Sequence, residues 1–72
     1  MLIELPTSAI TPISQILSNG YRIELRPVAN GDVLITAEHL RSKHRERITC
    51  RADCYSELGQ ILTDLSHRCP PS

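Results

Sequence analysis

Phenylalanine and tryptophan are absent from this 72-residue chain, and Tyr21 and Tyr55 are its only tyrosines. Reading unpaired bases takes several exposed rings to stack on, so a single-strand platform is not expected. The core must be aliphatic, built from Leu, Ile and Val side chains worth about 1.5–3 kcal/mol each when fully buried. An excess of one charge is also missing: eight basic residues meet eight acidic ones, and the formal net charge is +0. Global attraction to nucleic acid or to an anionic membrane is thereby disfavoured, and any such role must sit in a local patch. No apolar run reaches the length of a membrane span, and the opening MLIELP carries Glu4 where a signal peptide carries basic residues. These features predict a soluble, cytoplasmic protein with no membrane partner. Cys50, Cys54 and Cys69 make an odd count without a secretory signal, so reduced thiols are expected rather than a disulfide framework.

Chemistry has little to work with. A single domain of this length buries only roughly 60% of its unfolded surface, which leaves small room for a substrate cavity. The three histidines have no carboxylate or nucleophile at a recognisable spacing, and no Gly-rich phosphate loop occurs. The chain therefore reads as a non-enzyme without a cofactor. Cys50, Cys54, His67 and Cys69 could in principle ligate zinc, but their spacing is poor and small buried hydrophobes are the simpler reading.

What is present is a clear hairpin. Two β-branched alternating runs within Tyr21 to Ala37 meet at Asn30-Gly31. A two-residue turn would mix apolar and charged groups on both faces. A three-residue loop, Ala29 to Gly31 with Gly31 left-handed, pairs Leu25 with Ile35, Ile23 with Ala37 and Pro27 with Val33, making one face apolar. The other face then sets Arg22 opposite Glu38 and Glu24 opposite Thr36. Pro27 has no N–H for a ladder, which marks the first hairpin strand as an edge.

Around the hairpin, Met1 to Leu5 alternates as a short strand ended by Pro6. Thr11-Pro12 suits a helix start, Ile13, Ile16 and Leu17 form a stripe, and Asn19-Gly20 closes it. From Arg45 to Arg51 a strand would turn Ile48 and Cys50 inward and Arg45, Arg47, Thr49 and Arg51 outward, with residues 39–44 as a basic loop. A helix is the rival, since Leu40, His44 and Ile48 recur at helical spacing. Asp53 then caps a second helix striped by Tyr55, Leu58, Ile61, Leu62 and Leu65, within which Gly59 allows close approach to the sheet. The expectation is an α+β two-layer sandwich of order β-α-β-β-β-α, an antiparallel sheet with its helices on one face. It spans residues 1–69 as one domain, with 70–72 as a frayed tail.

The uncovered sheet face and the basic loop are the candidate site. Arg22, Arg26, Arg41, Lys43, Arg45, Arg47 and Arg51 supply groups that bond carboxylates or phosphates, and Leu34 gives an apolar centre ringed by charge. The bland alternative is a solvated face protected by charge from edge pairing. Helix, three strands, helix also resembles the element order of double-stranded-RNA-binding domains. That resemblance implies contact with a nucleic-acid backbone, although the last helix here begins DCYSE where those domains carry a lysine cluster. The leading expectation is a non-catalytic binding protein that docks on a larger protein or complex to regulate or inhibit it, in the manner of small inhibitors from phages and mobile elements. Nucleic-acid-backbone binding is the alternative, and a second copy of the chain is a further candidate to cover Leu34.

Overall fold

The computed structural model describes residues 7–71, so the expected strand at Met1 to Leu5 lies outside the described residues. The two runs of the hairpin form β1 (Tyr21–Pro27) and β2 (Val33–His39), and the basic stretch continues as β3 (Arg45–Cys50). All three pair antiparallel in the order β1-β2-β3. Helices α1 (Ile10–Ser18) and α2 (Leu58–Ser66) flank the strands in sequence. The helices pack on each other, α1 against β1 and α2 against β3. The fold is α+β, with the first described helix preceding the strands.

The hairpin register is the one that gives an apolar face: Leu25 pairs with Ile35, Ile23 with Ala37, Pro27 with Val33 and Arg22 with Glu38. Its loop differs in detail. Both Asn30 (φ 67°) and Gly31 (φ 78°) are left-handed, not Gly31 alone. Asparagine tolerates that region, so Asn-Gly closes a primed turn. The carbonyl of Asp32 then accepts from Val28 N while Asp32 N donates to Ala29 O, and this local mismatch shifts the ladder by the one residue that the face pattern demands.

The stretch from Arg45 is a strand because β2 offers it a matching face: Ile48 lies opposite Ile35 and Cys50 opposite Val33. A helix there would leave the second side of β2 unpaired. The turn before it corrects the expected basic loop. His39 ends β2 as a buried residue, and its Nδ1 accepts the backbone N–H groups of Arg41 and Ser42, each at 3.1 Å. The inward alternation of Ile35 and Ala37 simply continues to His39.

Buried Ala9, Ile16, Tyr21, Ile35, Ala37, Cys50, Leu58, Leu62, Leu65 and Cys69 form the core between helices and sheet. Two residues expected there stand out. Leu25 is 49% exposed and Leu17 is 52% exposed. Nine residues of α1 rise about 13.5 Å, whereas the seven of β1 extend about 23 Å. The helix is too short to cover the far end of the strand.

Helix starts also differ from expectation. Thr7–Ala9 forms a 3₁₀ turn before α1, and Ala9 rather than Thr11 is the N-cap. Pro12 sits in the first turn, where its missing N–H breaks no helical bond, and is buried. Residues Ala52–Glu57 form a 3₁₀ segment before α2, so Asp53 does not cap the α-helix itself. Gly59 makes its close approach to that first 3₁₀ turn, not to the sheet: a Cβ there would come within 2.7 Å of Ser8 Cβ.

Candidate functional site

With the apolar face covered by helices, the opposite face of the sheet displays three cross-strand rows. Arg22, Glu38 and Arg45 form the first, Glu24, Thr36 and Arg47 the second, and Arg26, Leu34 and Thr49 the third. Rows are separated by about 6.8 Å along a strand and neighbouring strands by about 4.8 Å, so guanidinium groups reach across the whole face. Side chains of Arg22, Arg26, Arg45 and Arg47 stand around Leu34 and Thr36 and enclose an open cleft of about 250 Å³ with Glu24 and Glu38. Leu34 is half-buried at its floor.

The electrostatics are organised by Glu38. Its side chain is only 14% exposed and bridges Arg22 Nη2 at 3.0 Å and Arg45 Nη2 at 2.9 Å. The Arg45 hydrogen bond, with the charges of Arg45 and Arg22, holds the Glu38 carboxyl below its ordinary range against an opposing effect of burial. Arg26 pairs with Glu24 at 3.3 Å. Arg47 forms no ion pair among the described residues, so the middle of β3 carries an uncompensated guanidinium over the cleft.

The eight candidate residues fall into three groups. Arg22, Arg26, Leu34, Arg45 and Arg47 line one cleft. Arg41 and Lys43 are exposed in the β2–β3 turn, beyond the row of Arg22, Glu38 and Arg45, and Lys43 is left-handed at φ 65°. Arg51 stands apart past the end of β3, where Arg51 Nη2 lies 3.4 Å from Asp53 Oδ2. The 3₁₀ segment Ala52–Glu57 carries Asp53 and Glu57 and no basic residue, so cations lie on the sheet face and its turn rather than at the start of the last helical segment.

A second cluster escaped the sequence reading. Tyr21 is buried and meets His39 edge-on with ring centroids 4.9 Å apart. Its hydroxyl donates to Pro70 O at 3.0 Å, Asn19 Nδ2 donates to Cys69 O at 2.8 Å, and His44 Nε2 lies 3.1 Å from Arg68 O. The same His44 nitrogen is 3.1 Å from Glu46 Oε2. Three side chains thus hold the chain after α2, including Pro70 of the segment expected to fray. Burial pushes the Tyr21 hydroxyl up, helped by Cys69 and Glu46. The inward alternation of Ile23 extended back two residues is the signal that would have found Tyr21.

Cys50 and Cys69 are buried and Cys54 is half-buried. Burial raises the Cys50 and Cys69 thiols, and the hydrogen bond to Asp53 is the main cause of the rise at Cys54. No group of three or more metal-binding side chains converges among the described residues. Likewise no described helix is long and apolar enough to cross a membrane. Comparison with protein-family profiles, with curated proteins and with solved structures returned no match.

Proposed function

We propose that the chain is a non-catalytic binding protein that lays its arginine-bearing sheet face on an acidic surface of a larger protein or complex, and regulates or inhibits that partner by occupying it. The observation that carries this reading is the cleft in which four arginines and two glutamates ring half-buried Leu34. An apolar centre inside a polar rim is the usual anatomy of an interface, and arginine is enriched in such sites. Guanidinium groups match carboxylates through paired hydrogen bonds, and a face partly neutralised by its own Glu24 and Glu38 discriminates among partners by geometry as well as by charge. Arg41 and Lys43 extend the same surface at the turn.

Affinity capture tests this directly. The tagged chain should retain a partner that the double variant Arg45→Glu, Arg47→Glu loses, while Arg68→Glu, away from the sheet face, keeps it. Retention by the double variant would remove the sheet face from consideration.

Nucleic-acid-backbone binding through the same arginines is a second reading, favoured by the helix, three-strand, helix order. It makes a different demand on salt: neutralising roughly four phosphates of a duplex gives a log–log slope of about −0.9 per contact. Titration with duplex RNA and duplex DNA at two salt concentrations separates the readings.

A further inference from the structure

The two edges of the sheet are not equivalent. Main-chain bonds from Val28 N to Asp32 O and from Leu40 N to Gly20 O, taken with the register, turn the even-numbered residues of β1 toward β2. The bond from His39 N to His44 O does the same for the even-numbered residues of β3. The N–H and C=O groups of Arg45, Arg47 and Thr49 therefore point away from the sheet, and among the described residues no strand pairs with them. These same three residues put exposed side chains on the arginine face. Along β1 the outward-pointing positions end at Pro27, which has no N–H, and the exposed side chains alternate in sign through Arg22, Glu24 and Arg26. Among the described strands, only β3 combines an open ladder with exposed charge of one sign.

We propose that β3 is a strand-addition edge that takes an extended acidic segment of a partner protein, running antiparallel to it with carboxylates opposite Arg45 and Arg47. The inference rests on the reading of the arginine face as the docking surface and names the partner's chemistry. Residues directly opposite in an antiparallel pair share a face, so the acidic side chains occur at alternate positions. Between them the partner presents a neutral or basic residue beside Glu46, and the residue before the first carboxylate lies beside Ile48 and is apolar. Read from its N-terminus, the segment is apolar, acidic, neutral or basic, acidic. The ladder itself selects a peptide. An edge offers donors and acceptors in alternation, and a peptide backbone answers both, whereas phosphates only accept and leave the Arg45 and Arg47 carbonyls unmatched. A second copy of β3 added antiparallel about Arg47 sets Arg47 opposite Arg47, which like charge opposes.

The test titrates the full chain, labelled with nitrogen-15, with a capped peptide of sequence TVETET. Three further probes accompany it: the same peptide N-methylated at both glutamates, the peptide with both glutamates replaced by lysine, and a ten-nucleotide polythymidylate. The expected result is slowing of exchange at the Arg45, Arg47 and Thr49 amides by at least about tenfold, with the methylated and lysine peptides, and the Arg47→Glu variant, binding about tenfold or more weakly. Equal binding of the methylated peptide with those amides unprotected overturns strand addition and leaves the arginine face as the docking surface. So does protection of the same amides before any peptide is added, since the edge is then already covered. Tighter binding of the oligonucleotide than of the peptide overturns the proposal in favour of phosphate recognition. Absence of peptide binding up to about 1 mM also overturns it. The docking reading falls with it only if the double variant Arg45→Glu, Arg47→Glu additionally keeps every captured partner.

Discussion

Glu38 is where the acid stability of this protein and the geometry of its arginine face meet. The carboxylate is shared between Arg22 and Arg45, and the Arg45 hydrogen bond is the first cause of its lowered pKa. For a carboxyl held below its ordinary value of 4.5, the stabilising contribution is present above that value and disappears as pH falls through the folded one. Glu38→Gln should therefore be less stable than the parent near pH 6, with the gap closing at an acid pH below the folded value, where the parent's carboxyl is protonated. Urea titrations of both proteins at the two pH values measure this, and an unchanged gap at low pH would show that Glu38 ionisation does not stabilise the fold. A second residue-scale expectation concerns Gly20. It is left-handed at φ 94°, and a Cβ would come within 2.9 Å of His39 Nε2, so both backbone and space demand glycine. Gly20→Ala should lose about 1–3 kcal/mol in the same titrations, and a loss within about 0.5 kcal/mol would show that β1 can enter from α1 without that conformation.

At the scale of elements, legibility followed periodicity. Alternation over Ile23, Leu25, Val33 and Ile35 specified the hairpin register, because a slip of one residue would have turned every apolar group to water. The same logic separated strand from helix at Arg45–Cys50, since Ile48 and Cys50 answer Ile35 and Val33. Short-range geometry was less legible. Both helices begin through 3₁₀ segments that obey tertiary packing rather than capping rules, and α2 packs so closely on the first of them that Gly59 has Ser8 where a side chain would be. Gly59→Ala forces that contact apart and should lower stability by about 1–3 kcal/mol despite alanine's better helix propensity. Thermal unfolding checks it, and a stabilised variant would mean that the first 3₁₀ turn is not held against α2. His39 was misread as part of a basic loop because its type suggests charge, whereas its position in β2 turns it inward to hold Arg41 and Ser42. Five of the candidate site residues were legible from the register alone; Arg51 is apart from them because β3 ends at Cys50, one residue short of the expected strand.

For the molecule as a whole, long-range bonds at the end of the chain supply what local pattern could not announce. Asn19 and Tyr21, from the junction of α1 and β1, and His44, from the turn before β3, meet the backbone of Cys69, Pro70 and Arg68. They seal Cys69 in the core beside the helices. Thiol reactivity reports whether that closure holds: all three thiols are raised, so burial sets the order, and under native conditions half-buried Cys54 should react with a maleimide first while buried Cys50 and Cys69 should wait for unfolding. Mass spectrometry of partly labelled protein reads the order, and early labelling of Cys69 would mean that the end of the chain opens readily. A closed helix layer leaves the other sheet face as the surface on which arginines surround a half-buried leucine. That arrangement makes Leu34→Asp the decisive variant for this docking surface. The affinity of a captured partner is measured for the parent and the variant, with the amide spectrum of each recorded beside it. The expected result is an unchanged spectrum outside the neighbourhood of Leu34 and a loss of affinity of about thirtyfold or more, as for the centre of an interface. A folded variant that binds within about twofold of the parent would contradict it.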